Sequence, residues 1–354
     1  MKYHAGLDIS LEETAICVVD DEGTIVKELR AASEPEALAA ALGGLGLELA
    51  RVGLEACSQA AWLHDGLKAA GFNAICIETR RAHAAMKTMP NKTDRNDARA
   101  IAQIMRTGWF QQVHVKSPQS RCWRALLVAR KGVLQGMFAL ENVVRGLLRE
   151  EGLKAGKASG RKFTDTVKEL ARADQVLDDI VTPMLEVLVT MQGQLADMTA
   201  RVGAIAGADP VCRRLMGVPG MGAITTLTFM ATVDSPDRFK RSRTLGAHLG
   251  LTPRRYQSGE TDIAGRISKC GDGMARSALY EAAHVLLVLT RKPSRLKAWG
   301  LAVAKRWGFN RARVAVARKL AVILHRMWEN GADFIWSARQ ATKQSAGALH
   351  PKSA

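Results

Sequence analysis

The sequence predicts an α/β domain, then an antiparallel helical arm, then a mostly helical domain. Short apolar runs alternate with helical stretches through residues 1–117, and apolar residues recur at three- and four-residue steps through residues 118–208. Helical runs enclose a loop-rich basic stretch in residues 209–340, and small polar residues at 341–354 predict a disordered tail. The length of 354 residues is compatible with two or three domains.

The amino-terminal domain is predicted to contain five strands and three helices. The strands are His4–Ser10, Thr14–Val19, Thr24–Leu29, Ala50–Glu55 and Asn73–Ile77. The helices are Glu34–Leu42, Ala60–Ala70 and Thr93–Arg106, the last with Thr93 as its N-cap. The order β-β-β-α-β-α-β-α is that of a ribonuclease-H-like domain, in which the first and fourth strands are neighbours.

Two helical seams predict the arm. The first seam runs through Leu126, Val133, Met137, Leu140, Val144 and Leu147. The second runs through Met184, Leu188, Met191, Leu195, Met198, Val202 and Ile205. A loop at Glu151–Gly160 joins them, and Pro183 is expected to kink or interrupt the second helix. The two helices form either an antiparallel coiled coil, which we favour, or a layer on a globular core.

The net charge of +17 is unevenly distributed along the chain. Residues 1–79 hold 5 Lys and Arg against 13 Asp and Glu, whereas residues 201–354 hold 26 against 9. An excess of positive charge confined to one region indicates a polyanionic partner, and nucleic acid is the leading candidate. A basic protein without nucleic-acid function is the alternative.

Several protein classes are excluded by composition. The six cysteines are widely spaced, so a zinc site or a disulfide scaffold is not expected. The sequence has neither a signal-peptide core nor an apolar run long enough to cross a bilayer. We therefore expect a cytoplasmic protein that has no membrane partner and associates with the nucleoid when active.

Four carboxylates are candidate metal ligands. Asp8 lies in the first strand, Glu55 ends the fourth, and Asp94 and Asp97 share one face at the start of a helix. If the first and fourth strands are neighbours, all four converge. Clustered carboxylates repel one another, and two Mg²⁺ ions would offset that repulsion and support phosphodiester chemistry. Taken singly, an acid at the position of Asp94 or Asp97 is most often a helix-start cap, and Asp8 is alternatively a turn residue.

The basic carboxy-terminal region offers candidate nucleic-acid contacts. In Met216-Gly-Val-Pro-Gly-Met-Gly222, Gly220 and Gly222 resemble the turn of a helix-hairpin-helix element, where backbone N–H groups approach a phosphate. Tight helix packing explains these glycines almost as well. Arg266 and Lys269 are candidate contacts to the nucleic-acid backbone.

Ser258 is a candidate catalytic residue. It precedes a glycine in a basic loop, where its hydroxyl is expected to be accessible beside Arg254 and Arg255. A serine that attacks a phosphodiester needs its proton removed and the developing negative charge neutralised, and arginines supply the second requirement. A Ser-Gly pair is otherwise an ordinary turn, and Tyr256 is the rival nucleophile.

These segments together resemble the family of DEDD insertion-sequence transposases, which includes the Piv-like DNA invertases. Gly6-Leu-Asp-Ile-Ser10, Leu54-Glu-Ala56 and Lys92-Thr-Asp-Arg-Asn-Asp-Ala-Arg99 are similar to the three motifs of that family's RuvC-like domain. Leu249-Gly-Leu-Thr-Pro-Arg-Arg-Tyr-Gln-Ser-Gly-Glu260 and Gly265-Arg-Ile-Ser-Lys-Cys-Gly-Asp-Gly273 resemble its carboxy-terminal transposase domain, although Cys270 stands where a basic residue is common.

The resemblance implies a Mg²⁺-dependent transposase with four metal ligands and a catalytic serine. The implied ligands are Asp8, Glu55, Asp94 and Asp97, and the implied serine is Ser258. It also implies DNA at element ends and target as partner, a structured guide RNA, and a homo-oligomer, either dimer or tetramer. The alternatives are a hydrolytic Holliday-junction endonuclease, a sugar-kinase-like ATPase, and a non-catalytic nucleic-acid-binding protein.

Overall fold

The fold is given by a computed structural model, which describes residues 1–79 and 93–336. The chain divides into two compact units, Met1–Lys116 and Ser117–Ala354. Both the predicted arm and the predicted carboxy-terminal domain fall in the second unit, and their division near residue 208 stays a prediction. The predicted tail at 341–354 and Lys92 lie outside the described residues. In the described part, no helix is long and apolar enough to cross a membrane.

The first unit is built on a five-stranded mixed sheet. Its strands are β1 (Tyr3–Ile9), β2 (Glu13–Asp20), β3 (Ile25–Ala32), β4 (Leu49–Glu55) and β5 (Ala74–Ile77). The helices are α1 (Pro35–Gly43), α2 (Ala60–Ala69) and α3 (Asp94–Thr107). The strand order is β3-β2-β1-β4-β5. Strand β2 pairs antiparallel with both β1 and β3, whereas β4 pairs parallel with both β1 and β5. This confirms the predicted α/β class and the expected pairing of the first and fourth strands.

The two faces of this sheet carry different cores because successive residues of a strand point to opposite sides. On one face, Leu7, Ile16 and Leu54 pack in a core with α1 and α2. On the other face, Cys17 packs with Ala98 and Ala102 of α3. Helix α3 therefore covers one face alone, and it brings its first turn to the sheet from that side.

The second unit begins with long helices. They are α4 (Pro118–Glu150), α5 (Arg161–Ala171) and α6 (Gln175–Ala208). The apolar seam residues Met137, Val144 and Leu188 lie in one buried core, so the two long helices pack together as predicted. A separate short helix, α5, was not predicted. Helix α6 continues through Pro183, so the predicted interruption was wrong, and the alternative of a kink at Pro183 stays a prediction.

Shorter elements complete the second unit. They are α7 (Pro210–Met216), α8 (Ala223–Val233), α9 (Leu245–His248), β6 (Pro253–Ser258), β7 (Thr261–Ile267), α10 (Gly273–His284), α11 (Arg295–Trp307) and α12 (Phe309–Asn330). Short 3₁₀ turns at Pro236–Arg238 and Ser242–Thr244 precede α9, and a π-helical turn, Val285–Leu289, follows α10. The stretch Asp234–Gly273, predicted to be rich in loops, also contains an antiparallel hairpin of β6 and β7 that the sequence analysis did not predict.

Candidate active site

Asp8 and Glu55 lie side by side at the carboxyl ends of two neighbouring parallel strands. The pairing of β1 with β4 runs through Gly6–Gly53 and ends at Leu7–Leu54, one residue before each acid. Both acids are half-buried. Each follows a glycine by two residues and so points to the same face as that glycine.

The two glycines show which face this is. A Cβ at Gly6 would overlap the carbonyl oxygen of Ala98 and the nitrogen of Ala102, and a Cβ at Gly53 would overlap the Met105 side chain. Helix α3 thus lies directly on β1 and β4 at these positions. Helix α3 runs antiparallel to β4. Arg51 donates a hydrogen bond of 2.7 Å to the Met105 carbonyl, whereas Gly53, two residues further along β4, also approaches Ile101, which comes one turn earlier in α3. Asp8 and Glu55 therefore face the amino-terminal end of α3.

The first turn of α3 carries the other two acids. Thr93 caps the helix, since its hydroxyl accepts a hydrogen bond from the Asn96 N–H at 3.2 Å. Asp94 and Asp97 are one turn apart, and Ala98 and Ile101 on the same side are buried against the sheet. Asp94 Oδ2 lies 3.9 Å from the Arg30 guanidinium of β3.

Asp8 and Glu55 thus lie at the ends of β1 and β4, and Asp94 and Asp97 lie in the first turn of α3, the helix that covers the same face of the sheet. All are carboxylates, which suits a hard divalent cation such as Mg²⁺. Within residues 1–79 and 93–336, however, no three Asp, Glu, His or Cys side chains approach closely enough to share a metal ion. The donor chemistry of the four acids fits the cation, whereas the structure does not gather them into one site.

Glu28 is a residue of this site that the sequence prediction missed. It lies on β3 opposite Cys17, which is itself opposite Gly6, so it shares the face covered by α3. Arg95 Nε and Arg99 Nε, both on α3, donate to its carboxylate at 2.8 and 2.5 Å. The hydrogen bonds from Arg95 and Arg99 lower the pKa of Glu28 to about 2. The sequence signal that could have indicated this role is the pair Glu28 and Arg30, two charged residues that lie two positions apart on an edge strand and so share one face.

Ser258 lies at the tip of an exposed β-hairpin. It is the last residue of β6 and pairs with Thr261 across a two-residue turn of Gly259 and Glu260, where Gly259 has a φ of +54°. Every residue of β6 is exposed, so the serine hydroxyl is accessible as expected. Tyr256, the rival nucleophile, lies on the same face of the hairpin and is 65% exposed.

The two arginines near Ser258 have local partners. Arg255 lies on the opposite face, three residues away, and its guanidinium binds both carboxylate oxygens of Asp262 at 2.7 and 2.5 Å. This ion pair lowers the pKa of Asp262. Arg254 Nη2 donates to the Ser268 carbonyl at 3.3 Å. The hydroxyl is thus exposed, but the expectation that Arg255 flanks it does not match this geometry.

The base of the hairpin is held by a close backbone crossing. A Cβ at Gly250 would overlap the backbone of Cys270, and a Cβ at Gly271 would overlap the His248 carbonyl. The residues just before β6 are therefore packed against the residues just after β7. Arg266 and Lys269 are exposed there, and their contact with nucleic acid stays a prediction.

The two candidate glycines of the turn before α8 differ in their surroundings. Gly220 has a φ of +84°, and a Cβ there would overlap the backbone of Ala282 in α10. Its role is therefore tight helix packing. Gly222 is exposed at the N-cap of α8, with no atom within 4 Å of a Cβ placed on it. Only Gly222 has the open backbone that an approaching phosphate needs.

Comparisons with known proteins identify transposases as the relatives of this chain. Residues 5–152 match the DEDD transposase model of the IS110 type, and residues 212–298 match the transposase IS116/IS110/IS902 family. The transposase for insertion sequence element IS1111A of Coxiella burnetii is 30% identical over 330 residues, covering 90% of this chain and 87% of the relative. The "Probable family 20 transposase" of Pseudomonas aeruginosa is 29% identical, covering 77% of this chain and 82% of the relative.

Proposed function

The chain belongs to the IS116/IS110/IS902 family of transposases, and from this premise we propose that its first unit is a RuvC-like nuclease domain. Transposases cleave and rejoin DNA, so DNA is its partner. The proposed ligands of two Mg²⁺ ions are four carboxylates, two at strand ends and two at the start of α3: Asp8, Glu55, Asp94 and Asp97. One observation supports this most: Asp8 and Glu55 end adjacent parallel strands on the face covered by α3.

The chain's own residues would prepare the site. The carboxylates provide the hard oxygen ligands, and Glu28 positions the first turn of α3 through Arg95 and Arg99. Bound Mg²⁺ would supply the positive charge that stabilises the attacking and leaving oxygens of phosphodiester cleavage.

Metal binding and cleavage test this proposal together. Asp8→Asn and Glu55→Gln are expected to abolish DNA cleavage and to weaken Mn²⁺ binding, measured by calorimetry, at least about tenfold. Glu12→Gln is the matched control, since Glu12 is an exposed acid in the turn after β1. Full cleavage by either site variant, or equal loss in the control, refutes the ligand set.

We also propose that Ser258 is the catalytic hydroxyl of strand exchange. Its Oγ would bond to phosphorus as a P–O ester bond of the DNA breaks, its proton passing to a carboxylate or to solvent and the leaving oxygen taking up a proton. The support is the exposed position of Ser258 at the hairpin tip and the resemblance of its motif to the family's serine motif.

Product analysis of three variants tests the serine. Ser258→Ala is expected to lose rejoined products while it retains DNA binding. Thr261→Ala is the matched control, because Thr261 is the cross-strand partner of Ser258 and also carries a hydroxyl. Normal recombination by Ser258→Ala refutes this role, and loss in Tyr256→Phe indicates tyrosine chemistry. Nicked products without rejoining indicate the alternative, a hydrolytic junction endonuclease.

A structured guide RNA and assembly into a dimer or tetramer complete the proposal. The support is the family resemblance together with the 26 Lys and Arg against 9 Asp and Glu in residues 201–354. Phosphate contacts dominate affinity for RNA as for DNA. Recombination that persists after ribonuclease removes all co-purified RNA refutes guidance, and light scattering measures the assembly.

A further inference from the structure

A basic cleft lies in the second unit, between the loop before α9 and the last turns of α12. Its cavity volume is about 530 Å³. The lining residues are Lys240, Arg241, Ser242, Arg243, Arg326 and Glu329. None of these belongs to the hairpin of Ser258 or to the motifs that carry the family resemblance.

The charge of the cleft is unbalanced. Four side chains are cationic and one is a carboxylate. Across the described residues, the cationic groups of Lys240, Arg241, Arg243 and Arg326 form neither an ion pair nor a hydrogen bond. The neighbouring Arg238, by contrast, donates to the Val233 carbonyl. Four positive groups around one cavity repel one another, and an anion with several negative charges relieves that repulsion.

The walls of the cleft are fixed by a buried histidine. His325, the residue before Arg326, is fully buried, and its Nε2 lies 2.9 Å from the Pro236 carbonyl. Because a carbonyl can only accept, Nε2 carries a proton. Its Nδ1 lies 3.1 Å from Ser242 Oγ. These two contacts attach both ends of segment 236–242 to α12 and position the backbone that carries Lys240 and Arg241.

We propose that this cleft binds the phosphate backbone of DNA. Lysine and arginine are the side chains that neutralise successive phosphates. DNA is the substrate established by family membership, although an RNA backbone presents the same phosphates. The proposal depends on that DNA partner and is independent of the proposed roles of Ser258 and the four carboxylates.

Salt-dependent binding tests the cleft. The double variant Lys240→Ala/Arg326→Ala is compared with wild type by fluorescence anisotropy on a labelled random-sequence DNA duplex and on an RNA hairpin, both in EDTA. Each phosphate contact contributes about 0.9 to the slope of log affinity against log salt. Losing two contacts lowers the magnitude of the slope on DNA by about 1.8. When the salt is raised from 50 to 200 mM, the factor by which the variant loses affinity should therefore be about ten times smaller than the factor for wild type.

Arg306→Ala/Arg311→Ala is the matched control. Both residues are exposed, and Arg311 lies 15 residues before Arg326 on α12, about 22 Å along the helix. The control is expected to keep the wild-type slope. If the first variant unfolds, Arg241→Ala/Arg243→Ala makes the same test. An unchanged slope on DNA, an equal fall in the control, or a fall on RNA alone overturns the proposal. Because EDTA prevents metal-dependent cleavage, none of these outcomes depends on the catalytic proposals.

Discussion

Glu28 on β3 binds Arg99 on α3, with 2.5 Å between Glu28 Oε1 and Arg99 Nε. Arg95 donates to the other oxygen of the same carboxylate. Asp94 and Asp97 lie within the same two turns of helix as these arginines. One strand residue therefore fixes the segment that carries two of the four proposed metal ligands.

Removing the charge of Glu28 is expected to destabilise the protein. Glu28→Gln replaces the charge-assisted hydrogen bonds from two arginines with weaker ones, and the expected loss in the free energy of unfolding is about 1–2 kcal/mol. Urea denaturation measures it. Glu13→Gln is the control, because both side chains of the Glu13–Arg30 pair are about 60% exposed and such exposed pairs contribute only about 0–1 kcal/mol. Equal losses in the two variants would contradict the anchoring role.

The same pair predicts a dependence on pH. The pKa of Glu28 is lowered from 4.5 to about 2, chiefly by the hydrogen bond from Arg95. A carboxyl whose pKa is lower in the folded state than in the unfolded state stabilises the fold. This stabilisation is complete when the pH is above the unfolded-state pKa, and it is lost as the pH falls towards the folded-state pKa. The stability difference between wild type and Glu28→Gln should therefore shrink between pH 4.5 and about 2. Urea titrations across that range measure it, and a difference that grows on acidification would contradict the assignment.

Gly6 is expected to tolerate no side chain. In Gly6→Ala the new methyl would overlap the α3 backbone at Ala98 and Ala102, and such overpacking costs about 1–3 kcal/mol. Because the helix must shift, loss of DNA cleavage is expected as well. Gly43→Ala at the end of α1, where nothing lies within 4 Å, is the control and should be neutral. Thermal unfolding and a cleavage assay measure both effects, and wild-type behaviour of Gly6→Ala would exclude this helix position.

How far the sequence predicts this structure depends on whether a signal is local. Asp8, Glu55, Asp94 and Asp97 could be placed because each lies near a strand end or a helix start that its own neighbours define. The Glu28–Arg99 pair could not, because its members are 71 residues apart and meet only through the sheet register. The hairpin of Ser258 was also missed: β6 is exposed throughout, so it lacks the alternating burial that marks a strand.

The cysteines should react in two classes. Three are buried: Cys17, Cys76 and Cys212. Burial raises the pKa of Cys17 and of Cys76 to about 11, so only about 0.1% is thiolate at pH 8. Cys57 and Cys122 are exposed, and Cys270 is half-buried. A disulfide reagent at pH 8 should therefore modify Cys57 and Cys122 first, identified by peptide mass spectrometry. Early modification of Cys17 would contradict the packing of β2 against α3.

Gly220 and Gly222 separate packing from phosphate contact. Gly220→Ala places a methyl against the Ala282 backbone at a φ of +84°, and steric overlap plus backbone strain is expected to cost about 2–4 kcal/mol. Gly222→Ala meets nothing within 4 Å and should leave the melting temperature unchanged. If a phosphate approaches the α8 amino terminus, the added methyl should weaken DNA binding in this variant alone. Fluorescence anisotropy measures the DNA affinity of both variants, and melting curves measure their stability. Equal DNA affinity of Gly222→Ala and wild type would contradict a phosphate contact at Gly222 and leave neither glycine with that role.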